Sequence, residues 1–171
     1  IFAACNSQSR HTRKQQKHHC QKDGQVSFFH KTALLHKNLK SQIIEGQIVC
    51  NKIIAYTLLE IFKELFQASY PIEKIRLVDE YDADDERSMA DNNSSCFNFR
   101  FISYTTTVSS HGAGLAIDIN PKYNPYIKTV KGRLNIEPAN GKPYTDRSKN
   151  FPYKINHDDL AYKLFTSRGF E

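Results

Sequence analysis

The side chains best suited to chemistry lie in the segment 109–120, whose sequence is SSHGAGLAIDIN. From residue 115 onward apolar side chains alternate with small or polar ones, as in a strand that packs one face on the core and turns Asp118 to the other. His111 lies seven residues before Asp118, and the two glycines between them allow the backbone to bring the histidine back over the strand. A His nitrogen and an Asp oxygen together are suited to one zinc ion. An exposed histidine and an aspartate that caps a turn remain the alternative at this stage.

The elements that would position these residues follow from hydrophobic periodicity. A helical spacing begins after Asn51, a plausible N-cap, and is limited near residue 69 by Pro71. A short apolar run predicts a strand at 47–50, and alternation predicts strands at 74–79, 96–103 and 115–120. We interpret 79–88 as a solvated acidic loop and 121–156 as a long excursion, followed by a helix from Asn156 to Gly169. This order predicts an α+β fold, with a small antiparallel sheet flanked by helices.

Basic charge is concentrated at the start of the chain. The protein has 171 residues and a formal net charge of +6. Residues 1–45 hold eight Lys and Arg against two acidic residues, whereas residues 46–171 hold 16 of each sign. Because the body of the chain is neutral, we expect no nucleic-acid partner, for which a basic surface on the fold is typical. No run approaches the roughly 18 apolar residues that a membrane-spanning helix requires.

The first residues resemble the end of a bacterial lipoprotein signal peptide. The chain begins IFAAC, an apolar stub and two small residues before a cysteine. On this interpretation Cys5 is the lipidated first residue of the mature protein, and an ordinary thiol in a polar end is the alternative. We predict a signal-peptide remnant at 1–4, a basic tether or leader at 5–45 and a folded domain at 46–171.

Five fixed positions in this domain form a known signature. Ser109-x-His111-x-x-Gly114-x-Ala116-x-Asp118 resembles the S-x-H-x-x-G-x-A-x-D pattern of the D-alanyl-D-alanine carboxypeptidase or VanY-type zinc peptidases. The continuation DINPKYNPY at 118–126 resembles the family's D-I-N-P-x-x-N-P-Y. Upstream, NNSSCFNFR at 92–100 resembles a subgroup's N-N-T-S-x-F-N-x-R. The resemblance covers roughly 46–171 and implies the α+β fold of the LAS group of peptidases, which includes L-alanyl-D-glutamate endopeptidases.

Carried over by position, the resemblance implies a role for four residues. His111 and Asp118 would be zinc ligands, and Ser109 would contact the substrate peptide or orient the ligand loop. Arg100 would stabilise the oxyanion that forms when a metal-activated water attacks the scissile carbonyl. An arginine on the surface beside an aromatic strand is the alternative for Arg100.

The resemblance implies a metallopeptidase that cleaves peptidoglycan stem peptides, as a D,D-carboxypeptidase or an L-Ala-D-Glu type endopeptidase. It would be located in the cell envelope, periplasmic or extracellular, with a lipid anchor if Cys5 is modified. The family's third ligand and general base are expected beyond Glu171, since His157 does not match the third-ligand position. A non-catalytic cell-wall-binding module with the same fold is the alternative. No oligomeric state is predicted.

Overall fold

Short strands and three α-helices make up the described part of the protein. The computed structural model describes residues 2–4, 28–102 and 105–171. The strands are β1 (Phe2–Ala4), β2 (Phe29–Lys37), β3 (Ile43–Asn51), β4 (Lys74–Ile75), β5 (Asn93–Ser94), β6 (Ala116–Asp118), β7 (Tyr126–Val130) and β8 (Arg133–Glu137). The helices are α1 (Lys52–Gln67), α2 (Asp85–Ala90) and α3 (Leu160–Thr166), with 3₁₀ turns at Val78–Tyr81 and Ala139–Tyr144.

These strands form four two-stranded sheets rather than one continuous sheet. The pairs β1–β6, β2–β3 and β7–β8 are antiparallel, whereas β4 and β5 are parallel. The combination of small antiparallel sheets and helices confirms the predicted α+β class.

The helix α1 provides the centre of the core. Its N-cap is Asn51, as predicted, whose side-chain oxygen accepts a hydrogen bond from the Ile53 amide at 3.1 Å. One stripe of the helix is buried, and it consists of Ile54, Leu58, Ile61, Phe62 and Leu65. The same core contains Ile117 of β6 and Phe165 of α3, so the central helix shares its core with the strand that carries Asp118.

The β2–β3 hairpin begins before residue 46, the predicted start of the domain, and ends after it. Its register runs from the pair Phe29 and Asn51 to the pair Lys37 and Ile43. Residues 29–45 therefore fold with the domain, which corrects the predicted extent of the basic tether. His30 and Lys31 of β2 are exposed, while Leu34 and His36 are buried. Because so few inward positions of β2 are apolar, its composition resembles that of a tether.

Two other predictions about local structure are wrong. Within 96–102 the aromatic alternation forms no strand beyond an isolated bridge between Phe101 and Val108. Phe99 and Phe101 are 64% and 51% exposed and contact each other edge to face, so the alternation does not indicate burial in a sheet. The acidic segment 79–88 is not a plain loop, because Asp84 accepts a hydrogen bond from the Arg87 amide and begins α2.

The C-terminal part also differs in detail from the prediction. The segment predicted as an excursion contains the β7–β8 hairpin. The last helix begins at Leu160 rather than near Asn156, since Asp159 is its N-cap and accepts from the Ala161 amide at 2.8 Å. The helix ends at Thr166, and Gly169, where the prediction placed its end, has a φ of +84° in the turn that follows.

Cys5 and the predicted tether up to residue 27 lie outside the described residues. Within the part of the chain that the structure describes, no helix combines the length and apolar character needed to cross a membrane.

Candidate functional site

The strand β6 places Asp118 between the core and a neighbouring extended segment. The Asp118 amide donates to the Ser95 carbonyl at 2.9 Å, and the Ser95 amide donates back to the Asp118 carbonyl at 3.2 Å. Ile117 turns to the core and is fully buried, as the alternation predicted. Asp118 lies on the opposite face of the strand and is also buried, at 4% exposure. β6 therefore holds a carboxylate away from bulk water.

A tight turn brings His111 back over this strand. The Ser109 hydroxyl accepts a hydrogen bond from the Gly112 amide at 3.1 Å, and the Ser109 carbonyl accepts one from Ala113. Gly114 has a φ of +66°, and its carbonyl accepts the Asn51 amide at 2.8 Å. A Cβ at Gly114 would lie 2.8 Å from that amide nitrogen, so this position requires glycine. The turn is thereby tied to the start of α1.

His111 and Asp118 face each other in the interior. Nε2 of His111 lies 3.5 Å from Oδ2 of Asp118, and His111 is 4% exposed. The other ring nitrogen, Nδ1, lies 2.8 Å from the Cys96 carbonyl oxygen. Because a carbonyl only accepts, Nδ1 carries a proton and donates it, and Nε2 is the ring nitrogen that faces the carboxylate.

The environment of Asp118 disfavours its charged form. Burial raises the pKa of the Asp118 carboxyl, although the charge of His111 acts in the opposite direction. Oδ2 of Asp118 is buried and accepts no hydrogen bond from the described residues. A carboxyl oxygen and a ring nitrogen that face each other at 3.5 Å can share a proton or a cation.

This donor set fits zinc. A neutral imidazole nitrogen and a carboxylate oxygen are common zinc ligands, and a carbonyl that accepts from the opposite ring nitrogen is a typical outer contact of a ligating histidine. Among the described residues, no group of three or more His, Cys, Asp and Glu side chains could hold a metal ion. His157 lies apart from the pair, with its ring edge-on to Tyr162 at 4.7 Å between centroids.

Arg100 reaches the same site and is held by an acidic residue. Its Nε lies 2.8 Å from Oδ2 of Asp85, whose second oxygen accepts a hydrogen bond from Asn98 at 2.9 Å. The sequence predicts no role for Asp85, because the acidic segment 79–88 resembles a solvated loop. The signal that was available is the position of Asp85 in the first turn of a helix capped by Asp84.

A cleft of about 260 Å³ opens beside the histidine and arginine. Arg100, Ser109, His111 and Ala116 line it on the side of the domain. The β7–β8 hairpin also lines the cleft, and the sequence predicted neither the hairpin nor this contact. The structure thus brings together the four residues to which the resemblance gives a role. His111 and Asp118 form a pair, and Arg100 and Ser109 line the cleft with His111.

Two asparagines that follow Asp118, Asn120 and Asn124, hold the backbone and do not line the cleft. Asn120 has a φ of +48°, and its side chain bonds to the Glu73 amide and the Pro71 carbonyl, each at 3.0 Å. Asn124 accepts from the Ile155 amide at 2.9 Å and donates to the Tyr153 carbonyl at 2.9 Å. The continuation after Asp118 therefore anchors β6 to the chain on both sides.

One family profile matches the part of the chain that contains this pair. Residues 103–171 match the sequence profile of a family described as D-alanyl-D-alanine carboxypeptidase, over about two fifths of the chain. The matched segment contains Ser109, His111, Asp118 and the β7–β8 hairpin, while Arg100 precedes it. No curated protein and no solved structure matches the chain. The profile match over residues 103–171 thus confirms the resemblance to the D-alanyl-D-alanine carboxypeptidase family, whose members are peptidases that act on peptidoglycan.

Proposed function

We propose that this protein is a zinc-dependent peptidase that cleaves peptidoglycan stem peptides in the cell envelope. The bond cut is that of a D,D-carboxypeptidase or of an L-Ala-D-Glu type endopeptidase. The observation that carries the proposal is the buried pair of His111 and Asp118, 3.5 Å apart, within the segment that matches the family. A lipid anchor at Cys5 would hold the enzyme at a membrane surface.

In this proposal His111 and Asp118 hold the metal. The Cys96 carbonyl keeps the proton of His111 on Nδ1, so Nε2 remains able to bind a cation. Burial of Asp118 weakens competition from water for its carboxylate. When bound, zinc supplies Lewis-acid polarisation of the substrate carbonyl at this point.

Arg100 supplies positive charge at the cleft wall. Its ion pair with Asp85 holds the guanidinium beside His111, where negative charge develops on the scissile carbonyl oxygen as it is attacked. Ser109 acts as a positioning residue in this proposal, because its hydroxyl accepts from the Gly112 amide inside the turn that carries His111.

The proposal is tested on the full-length gene product by two measurements. Zinc content is determined after dialysis, and peptides released from purified peptidoglycan are identified by mass spectrometry. We expect His111→Ala to lose both zinc and peptide release. His157→Ala is the matched control, because this histidine is exposed and packs on Tyr162, and it should retain both.

Equal peptide release by wild type and His111→Ala would overturn the metallopeptidase proposal. Retained binding to peptidoglycan without any release would instead support the non-catalytic cell-wall-binding module. The masses of the released peptides identify which of the two bonds is cut.

A further inference from the structure

The β7–β8 hairpin presents one specific set of side chains to the cleft. In its antiparallel register Tyr126 lies opposite Glu137, and Lys128 lies opposite Asn135. Side chains of directly opposite residues lie on the same face of a hairpin, and every second residue of a strand shares that face. The hairpin residues that line the cleft form this one face: Tyr126, Lys128, Val130, Asn135 and Glu137.

The two faces of the hairpin differ in polarity. The face that lines the cleft carries three polar or charged side chains beside Tyr126 and Val130, and Arg133 lies opposite Val130 on the same face. The other face carries Ile127, which is 41% exposed, Leu134, which is 63% exposed, and the half-buried Ile136, together with Thr129. The polar side chains of the first face favour contact with a polar occupant of the cleft.

Two charged side chains on this face, Lys128 and Glu137, can each pair with a ligand. Glu137 is oriented by Asn135, whose side-chain amide donates to the Glu137 carboxylate at 2.6 Å. Lys128 and Glu137 are diagonal neighbours across the two strands, a separation that long side chains can span. Neither of them forms an ion pair with any other residue in the described ranges. A cation and an anion therefore stand side by side at the cleft without neutralising each other.

We propose that the β7–β8 hairpin determines substrate specificity by binding a peptide side chain that ends in both an ammonium and a carboxylate. Lys128 pairs with the carboxylate of this side chain, and Glu137 pairs with its ammonium. Arg100, on the opposite wall, is already paired with Asp85 and serves the reacting carbonyl instead. The inference rests on the proposed function, because it assigns the substrate class of the same cleft.

The test measures binding by calorimetry with the full-length protein, and therefore does not depend on hydrolysis. Two synthetic stem peptides differ at one residue, which is either lysine or a residue whose side chain ends in an ammonium and a carboxylate. We expect wild type to bind the second peptide about fivefold more tightly, the effect of roughly one accessible ion pair. Lys128→Gln should remove this preference by weakening only the second peptide, whereas Glu137→Gln should weaken both peptides.

Ile127→Gln and Leu134→Gln are matched controls on the outer face of the hairpin, and both should bind like wild type. Equal affinity of wild type for the two peptides, or an equal loss for both peptides in Lys128→Gln, would overturn the inference, as would a lack of binding to either. If the peptides bind with the expected preference but are not cleaved, the peptidase proposal fails and the specificity inference stands.

Discussion

The carbonyl oxygen of Cys96 lies 2.8 Å from Nδ1 of His111. This contact connects the segment 92–100 with the turn that carries the histidine. It determines which ring nitrogen holds the proton, and hence that the other nitrogen faces Asp118 at 3.5 Å. Cys96 itself is buried, and burial raises the pKa of its thiol. Cys96 therefore contributes through its backbone, as the group that orients the histidine.

Asp118→Asn should stabilise the metal-free protein and abolish zinc binding. Burial raises the pKa of Asp118, so the folded state holds this proton more tightly than the unfolded chain does, and ionisation of Asp118 lowers stability at neutral pH. We expect the free energy of unfolding in EDTA to rise at pH 7. Urea denaturation measures this change.

The gain should shrink as the pH falls towards the ordinary carboxyl value of 3.8, where the residue is protonated in both states. Asp158→Asn, at an exposed position, is the control and should change stability little. A less stable Asp118→Asn protein would contradict the prediction.

Gly114→Ala should disturb the turn that carries His111 more than Gly132→Ala disturbs the β7–β8 hairpin. Gly114 and Gly132 both have positive φ, at +66° and +75°. An added Cβ would lie 2.8 Å from the Asn51 nitrogen at Gly114, whereas nothing lies within 4 Å at Gly132. We expect Gly132→Ala to cost about 1 kcal/mol through backbone strain alone, and Gly114→Ala to cost more and to weaken zinc binding. Equal losses of stability with unchanged zinc affinity would show that the close approach is unimportant.

Asn124→Ala should be among the more destabilising single changes near the site. The side chain satisfies the buried Ile155 amide and the Tyr153 carbonyl, and it also accepts from Arg147 at 3.1 Å. Removing it leaves buried polar groups without partners, at a cost of about 3 kcal/mol. Chemical denaturation checks the value. Asn140→Ala, which removes one exposed hydrogen bond to Ala90, should cost well under half as much.

His36→Gln should remove part of the pH dependence of stability. Burial lowers the pKa of His36, although its hydrogen bond to the Ile72 carbonyl at 2.8 Å acts in the opposite direction. The unfolded chain therefore takes up a proton near pH 6.5 that the folded protein resists, and the free energy of unfolding should fall as the pH decreases through this value.

Unfolding curves between pH 7.5 and about 5.5 measure this slope, which should be smaller in His36→Gln. The control is His30→Gln, an exposed position of the same strand, which should keep the slope of wild type. An unchanged slope in His36→Gln would show that His36 is not the titrating group.

Local signals in the chain predicted the elements that depend on local interactions. Asn51 and the apolar spacing after it predicted α1, because a capping bond and an amphipathic stripe are encoded within a few residues. The same holds for the strand that carries Asp118 and for the glycine that allows the turn before it. The prediction of a strand at 96–103 was wrong, because alternation records side-chain type and not whether a partner strand is available.

The sequence by itself determined the class of fold, the signature around His111 and Asp118 and the helix that supports them. Only the tertiary structure decided that Asp85 holds Arg100 and that the polar face of the β7–β8 hairpin turns towards the cleft. The reason is that these contacts join residues in separate elements, which no periodic pattern in the sequence relates to each other. Which charge meets which partner, and which face of a hairpin points inward, depends on how separate elements pack together.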